Sequence, residues 1–524
     1  MPTAKNVNTT KGLYVALLML LLLVFCTQSA MASFTLEDEK KLGKEFYEKL
    51  EKNNLILHNN RATAYLNKLG GLLLSHSDKI PFDFRFSIIR SAGINAFATP
   101  GGYVYVNQGL INLVENEGQL AGVLAHEIAH INGRHIAEMI ERSQKINIST
   151  LAAIIAGAFL GHGGELTAAV TGFSLAAGTS LSLQYSREHE EAADRGGFLY
   201  LTASGFKGKY MLDFLKMMRR YEYFSNTVPS YFLTHPGTEE RISYIDALLQ
   251  TAKNTGGAVT MIGGLKRVQT LLLLQENEPS ANLKYFREKL RDHPDDADFL
   301  YGTAVTEAKM GLEKESCQNF LRALQANSND TDILTDFGIS LFDFGKFREA
   351  TAYLRKAAAA DGENAEAKLY LAKALLTMGN IEEALALLKE SEKRRPDDPE
   401  ICYNLAIAYG KSSAGGLSHY YFGRYFRMKG KMESALFHFK KALNELPSGG
   451  EKRAETRKEM DSLKKPAKKD WPKESLWRNS FLRKNHADLR KSFDEIKENS
   501  IYRIITCRPS FSISFLKREN SSGV

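Results

Sequence analysis

The stretch "AGVLAHEIAHINGRHIAEMI", residues 121–140, contains the pattern HExxH at His126, Glu127 and His130. The two histidines are four residues apart, so on a helix their side chains lie on one face and can reach one metal ion. Glu127 is close enough to take a proton from a water that zinc has polarised, because zinc lowers the pKa of such a water to about 7. The apolar neighbours fit a buried helix. The pattern predicts the chemistry of peptide hydrolysis.

A third metal ligand is needed, because a catalytic zinc normally takes three protein side chains. In one large group of zinc proteases, HExxH is followed by a glycine and a third histidine. Here Gly133 is in place, but Ile136 occupies the expected position and His135 falls one residue early. On a continuous helix from about 117 to 141, His135 lies on the face opposite His126, and only a break at Gly133 could return it. We therefore expect a surface or packing role for His135 and a third ligand elsewhere.

The stretch "YSREHEEAADRGGFLYL", residues 185–201, is a dense acidic helix downstream of the histidines. Glu190 and Asp194 are four apart on one face, so a glutamate could bind zinc while the aspartate accepts a hydrogen bond from a ligand histidine. Glu191 lies about 100° away, and Arg187 could pair with it or with Glu190. The alternative is a solvated charged face, which the apolar, Ala/Gly-rich neighbourhood disfavours.

The N-terminus carries a targeting signal. An apolar run follows two lysines and ends before Ala30-Met31-Ala32, a small-x-small cleavage pattern, which predicts an exported chain. An uncleaved anchor is the alternative. Three cysteines remain after cleavage, too few and too widely spaced for a disulfide framework, and we expect Cys317 and Cys402 to be small buried hydrophobes. Much of the net charge of +8 lies near the C-terminus, so we predict no nucleic-acid binding.

The segments around HExxH have distinct periodicities. Two amphipathic helices are predicted within 34–76, followed by strands in "FDFRFSIIR" and in "NAFATPGGYVYVNQGLI", which contains a hairpin turn at Pro100-Gly101-Gly102. Residues 146–184 are almost uncharged and split by glycines into two apolar segments too short to cross a bilayer. We expect a buried helical hairpin there. The alternative is a surface that contacts a membrane or an unfolded apolar client.

Residues 283–446 repeat with the period of tetratricopeptide repeats. Gly311, Gly345 and Gly379 are each 34 residues apart. The phase then slips by 17 residues to Gly430, and one extra helix is the simplest cause. Such a solenoid usually offers a concave binding surface, and the alternative is a structural spacer.

Four ordered motifs together resemble the M48 (Ste24/HtpX-like) metallopeptidases over residues 34–250. They are the hairpin, HExxH, the helix Arg187-x-x-Glu190-x-x-Ala193-Asp194, and "HPGTEERI" at 235–242. The resemblance implies an α+β zincin-type domain, mostly helical with a small β-sheet, followed by an all-α TPR solenoid. The implied divisions are a signal peptide at 1–32, a peptidase domain at 33–255, a linker at 256–282, TPR repeats at 283–446 and a basic disordered tail at 447–524.

The resemblance also implies site roles. One zinc per chain would be bound by His126, His130 and Glu190, with Glu127 as general base and Asp194 as hydrogen-bond partner of a ligand histidine. His235 would stabilise the oxyanion or occupy the open zinc position as a switch. An extended substrate would add to a strand edge, either Tyr103 to Asn107 or the strand of Asn95, Ala96, Phe97 and Ala98.

The expected function is a zinc endopeptidase of the Gram-negative periplasm that cleaves misfolded or stalled outer-membrane proteins. The solenoid would recruit unfolded clients or the outer-membrane assembly machinery, and residues 146–184 could contact the membrane surface. The alternative from another class is a periplasmic chaperone or scaffold in which cleavage is secondary or suppressed. A structural protein with a dead metal site is disfavoured by the intact Glu127.

Overall fold

The computed structural model describes residues 34–141, 148–160, 185–225, 228–251 and 262–464. The chain divides in sequence into two compact units after Leu387. The predicted signal peptide and residues 465–524 of the predicted tail lie outside the described residues. Within the described ranges, no helix combines the length and apolar character needed to cross a bilayer.

The described residues are mostly helical, with one small sheet near the N-terminus, which confirms the expected fold class. The N-terminal elements are α1 (Leu36–Lys52), α2 (Asn60–Leu74), β1 (Arg85–Ile89), β2 (Ala96–Thr99), β3 (Tyr103–Asn107), α3 (Gln108–Leu113), α4 (Glu117–Asn132), α5 (His135–Glu141), α6 (Ile148–Leu160), α7 (Arg187–Ala203), α8 (Lys209–Ser225), α9 (Ser230–Thr234) and α10 (Thr238–Thr251). They are followed by α11 (Leu265–Glu276), α12 (Pro279–Asp292), α13 (Ala297–Lys309), α14 (Glu313–Ala326), α15 (Thr331–Asp343), α16 (Phe347–Ala360), α17 (Ala365–Thr377), α18 (Ile381–Arg394), α19 (Pro399–Lys411), α20 (Gly415–Met428), α21 (Met432–Glu445) and α22 (Glu451–Lys464).

The sheet has the order β1-β3-β2, with β1 parallel and β2 antiparallel to β3. The β2–β3 hairpin turns at Pro100-Gly101-Gly102, as the sequence predicts. The alternative that Tyr103 to Asn107 offers a free substrate edge is wrong, because β3 is central and both of its sides are already paired. β2 is the strand of the hairpin that lies at the border of the sheet.

Helix α4, which contains HExxH, is buried on nearly every face at the centre of the N-terminal domain. α7 packs directly against it. Gly197 permits this approach, because a Cβ at that position would lie only 2.9 Å from the His126 nitrogen. The acidic helix is therefore held against the histidine helix by backbone contact, and their ligand atoms face one another.

The predicted continuous helix from 117 to 141 is wrong. α4 ends at Asn132, Gly133 caps it, and Arg134 adopts the left-handed conformation with φ of 52° before α5 begins. Arg134 is held there by Glu39 Oε1 at 2.6 Å and by the Phe34 carbonyl at 2.7 Å. Contacts that are distant in sequence thus offset the strain of a non-glycine residue in this conformation.

The first half of the predicted apolar hairpin is the helix α6, whose described side chains are largely buried. The Phe159 ring stacks on Phe97 of β2 at 5.0 Å, and the Phe159 carbonyl accepts a hydrogen bond from Asn95 Nδ2 at 3.2 Å. Residues 161–184 lie outside the described residues. A membrane or client contact through this segment stays a prediction.

Two predicted domain borders are wrong. The expected linker 256–282 contains helix α11, whose Leu272 is fully buried and whose Gln269 amide donates to two carbonyls at the end of α3. The expected disordered tail includes helix α22, where Glu455 accepts a hydrogen bond from Tyr420 at 2.7 Å. Sequence periodicity missed both because each is a single helix outside the repeat.

The repeat turns have a common backbone conformation. Gly311, Gly345 and Gly379 have φ of 75°, 78° and 86°, and Ser413, 34 residues after the last of them, has φ of 60°. The α19–α20 turn is therefore a fourth repeat turn in phase, with serine where the others have glycine. The predicted slip at this point is wrong, and the Gly430 turn follows one helix later.

A second serine hides the same repeat. Ser418 Oγ donates to the Ala406 carbonyl at 2.8 Å, as Ser316 Oγ donates to the Ala304 carbonyl at 2.9 Å in the first repeat. Both serines occupy the small position that alanine fills in the second and third repeats. α21 and α22 follow this fourth pair.

Charged side chains join α2 of the N-terminal domain to the first repeats. The Arg61 guanidinium donates to both carboxylate oxygens of Asp336 at 2.8 and 2.9 Å, and to Glu366 at 3.0 Å. Arg267 of α11 donates similarly to Asp298 and Asp330. The α13, α15 and α17 ends are thus bound to the N-terminal domain.

Replacing Ser413 by glycine should stabilise the chain. The left-handed conformation costs a non-glycine residue about 1–2 kcal/mol, and glycine loses about 0.5–1 kcal/mol through chain entropy, so we expect Ser413→Gly to raise the free energy of unfolding by about 0.5 kcal/mol. The measurement is urea unfolding followed by circular dichroism. The matched control is Ser412→Gly, where φ is −89° and the same entropy cost has no compensation. Equal destabilisation by both changes would contradict the assignment.

Candidate metal site

Four buried side chains converge in the N-terminal domain. His126 and His130 of α4, Glu190 of α7 and His235 after α9 place one ligand atom each within 4.8 Å of one another. The two histidine Nε2 atoms are 3.0 Å apart, and each is 3.4 Å from a Glu190 oxygen. The structure therefore brings together the three residues expected as zinc ligands and adds His235.

The residues fit a zinc ion. Two imidazoles and a carboxylate are a donor set that catalytic zinc takes. Glu127 is fully buried beside them, and neither of its carboxylate oxygens has a hydrogen-bond partner among the described residues. A buried carboxylate without such a partner is costly unless a cation is near. The cluster is therefore built to surround a positive charge.

Burial gives Glu127 the properties of a base. It raises the pKa of this carboxyl above its usual value, while the neighbouring His235 opposes the rise. Glu127 Oε1 lies 3.4 Å from His235 Nε2. A carboxylate with a raised pKa holds a proton more readily, which suits a group that takes a proton and later returns it.

Asp194 and Arg241 complete the environment of the cluster. Asp194 Oδ1 lies 3.0 Å from His126 Nδ1, as expected for the partner of a ligand histidine. Arg241 donates to both oxygens of Asp194 at 2.8 Å, and its Nη1 lies 2.8 Å from Glu190 Oε2. Although burial opposes it, the Arg241 charge lowers the pKa of both carboxyls. They are therefore ionised at neutral pH.

Comparisons with known proteins fit this geometry. Residues 63–249 match the model of Peptidase family M48, and residues 341–409 match that of the tetratricopeptide repeat. The chain contains an M48 domain.

Curated relatives match the same part of the chain. The beta-barrel assembly-enhancing protease of Escherichia coli (strain K12) is 32% identical over 217 residues, which is 41% of this chain and 44% of the relative. The putative beta-barrel assembly-enhancing protease of Vibrio cholerae is 31% identical over 215 residues, again 41% and 44%. The chain spans less than half the length of these relatives. Among solved structures, the TPR protein YrrB matches 34% of this chain and 91% of its own at 20% identity, with a TM-score of 0.29.

Sequence reasoning missed the role of Arg241 in the M48 domain. The residue was in view, because it lies within "HPGTEERI", but no local pattern assigns it a partner. The expected pairing of Arg187 is wrong. Arg187 lies 3.2 Å from Glu240, Glu190 faces the metal cluster, and the exposed Glu191 lies nearest to Arg195 at 3.7 Å.

His135 of the M48 domain is buried, which contradicts its expected place on the opposite face of a continuous helix. Its Nδ1 lies 2.8 Å from His130 Nδ1, because the break at Gly133 and Arg134 turns the ring back toward α4. It is outside the group of four converging ligand residues. Burial lowers the pKa of His135 to about 4, so the ring is neutral at neutral pH.

The predicted substrate strand borders the cluster of the M48 domain. Asn95, Ala96, Phe97 and Ala98 are all buried, and the Ala96 carbonyl lies 3.4 Å from His235 Nε2. Thr234 Oγ1 donates to Asn95 Oδ1 at 3.3 Å. β2 is thus placed beside the candidate catalytic residues, and its role in binding substrate stays a prediction.

Arg241→Met should destabilise the metal-free protein strongly, because it leaves Asp194 and Glu190 buried without their shared cation. We expect a loss of about 3–5 kcal/mol in the free energy of unfolding. The matched control is Arg187→Met, whose exposed pair with Glu240 contributes about 1 kcal/mol or less. Urea unfolding in the presence of a chelator measures both. Similar losses in the two variants would refute the role assigned to Arg241.

Proposed function

We propose that this chain is a zinc-dependent endopeptidase that acts on unfolded or extended segments of exported proteins in the bacterial envelope. The observation that carries the proposal is the buried convergence of His126, His130 and Glu190 around the unsatisfied carboxylate of Glu127. The M48 domain and the relatives named proteases support it. The predicted signal peptide supports an exported location.

The residues divide the work of hydrolysis between them. His126, His130 and Glu190 would hold the zinc, which supplies a Lewis acid when bound. Glu127 would accept the proton of the attacking water and return it to the leaving amine. Asp194 would hold the proton on Nδ1 of His126, so that Nε2 presents its lone pair to the metal.

His235 has two candidate roles. Its Nδ1 lies 3.0 Å from Glu190 Oε1 among the converging ligand atoms, which supports its occupying the open metal position in a resting state. Its Nε2 lies 3.4 Å from Glu127 Oε1, where a donor could also stabilise an oxyanion once substrate is present. The first arrangement favours a second candidate function, a chaperone or scaffold whose proteolysis is suppressed.

The edge strand and the solenoid would present substrate. An extended polypeptide would add to the strand of Asn95 to Ala98, where the Ala96 carbonyl borders the cluster. The solenoid would recruit clients or outer-membrane assembly machinery in the periplasm. Arg61 supports this arrangement, because its ion pairs with Asp336 and Glu366 keep the first repeats bound to the M48 domain. The names of the relatives support outer-membrane proteins as clients.

Two substitutions separate the base from the ligand. Glu127→Gln should keep zinc and lose cleavage of casein by at least about a hundredfold, because the amide cannot take a proton. Glu190→Ala should lose most of the zinc and the cleavage, because one of three ligands is gone. Metal analysis after dialysis and a fluorescent casein assay measure the two effects.

Glu191→Gln is the matched control for both variants, since this exposed glutamate is on the same helix as Glu190 and faces away from the cluster. It should keep zinc and cleavage at wild-type levels. Undiminished zinc in Glu190→Ala would refute the ligand assignment. For the chaperone candidate, the readout is rescue of an envelope-assembly defect. Rescue by Glu127→Gln that equals the wild type would show that cleavage is dispensable.

A further inference from the structure

The outer nitrogen of His130 has a partner of its own. His130 Nε2 faces His126 Nε2 at 3.0 Å and Glu190 at 3.4 Å, so it is the nitrogen directed into the candidate metal site. Nδ1 therefore faces outward, and it lies 2.8 Å from Nδ1 of the buried His135. At this distance one nitrogen donates its hydrogen and the other accepts.

We propose that His135 is a positioning residue for the metal ligand His130, an inference that rests on the proposed function. A neutral imidazole that binds zinc through Nε2 must carry its proton on Nδ1. His135 Nδ1 accepts the hydrogen bond from that N–H and fixes both the tautomer and the ring orientation of His130. Asp194 does the same for His126. The two ligand histidines thus have different outer partners, one imidazole and one carboxylate.

The backbone between the two histidines is shaped for this contact. A Cβ on Gly133 would lie 2.4 Å from Nε2 of His135, so only glycine leaves room for the ring. Arg134, at φ of 52°, supplies the turn that returns His135 to α4. The glycine that introduces a third ligand in other zinc proteases here admits a ring that supports the second ligand.

Neighbouring rings hold the pair in place. His189 stacks on His135 with centroids 4.6 Å apart and planes at 17°, and its Nε2 lies 3.2 Å from Glu138 Oε2. Tyr185 stacks on His130 at 3.8 Å. These contacts restrict ring rotation, while the Nδ1–Nδ1 contact alone selects the tautomer of His130.

The test is the zinc affinity of the full chain, measured by competition with a chromophoric chelator. His135→Ala should weaken zinc binding by about 10- to 100-fold, the usual effect of losing the outer partner of a ligand histidine. His135→Gln, whose amide oxygen can accept the same hydrogen bond, should recover part of the loss. The control His189→Ala removes the stacking ring and keeps the hydrogen bond, and should change affinity less than about threefold.

Gly133→Ala gives an independent route to the same effect. The added methyl should displace the His135 ring, so zinc binding should weaken as in His135→Ala, and the double variant should be no weaker than His135→Ala alone. The visible absorption of the Co²⁺-substituted protein reports the ligand geometry directly. It should change in both single variants and be restored toward the wild type in His135→Gln.

The outcomes distinguish this inference from the proposed function. Zinc binding by the wild type that is lost in Glu190→Ala but unchanged in His135→Ala would overturn the positioning role and leave the metal site intact. Failure of His135→Gln to recover any affinity would also overturn it, because a merely structural role does not depend on an acceptor atom. A wild type that binds no zinc would sink both.

Discussion

The candidate site depends on one buried cation, the guanidinium of Arg241. It donates two hydrogen bonds to Asp194 and lies 2.8 Å from Glu190, so it neutralises two carboxylates that have no access to water. A protonated Glu190 would be a poor zinc ligand, and a protonated Asp194 could not accept a hydrogen bond from His126 in the same way. Arg241 therefore keeps both side chains in the charge state that metal binding needs.

The segment that carries Arg241 also carries His235. Pro236 and Gly237, the latter with φ of 82°, turn the chain between them, so the two residues approach the cluster from its substrate side and from its buried side. His235 contacts Glu127 and Glu190, whereas Arg241 contacts Asp194 and Glu190. A movement of this turn would change the ligand set and the charge balance together.

The solenoid is attached to the M48 domain through side chains that would be expensive to separate. Arg61 and Arg267 are largely buried, and each is surrounded by carboxylates of the repeat helices. These acidic helix ends are occupied by the chain's own N-terminal domain. A client recruited by the first repeats would bind other faces of their helices, at a fixed distance from the metal cluster.

The sequence by itself determined the features that local periodicity controls. HExxH places two imidazoles on one helix face, Glu190 and Asp194 share another, and the 34-residue period shows paired repeat helices. These inferences hold because helical geometry relates residues a few positions apart whatever surrounds them. Where serine replaced glycine at position 413, the periodic signal weakened and the fourth repeat was missed.

Only the tertiary structure decided the partners of these residues. The break after α4 depends on room for the His135 ring and on distant contacts to Arg134, and a helical pattern cannot show either. The Arg241–Asp194 pair joins residues 47 positions apart. Which cation balances which buried carboxylate is set by the packing of α10 on α7. Sequence spacing reports the local backbone, whereas charge balance depends on which surfaces meet.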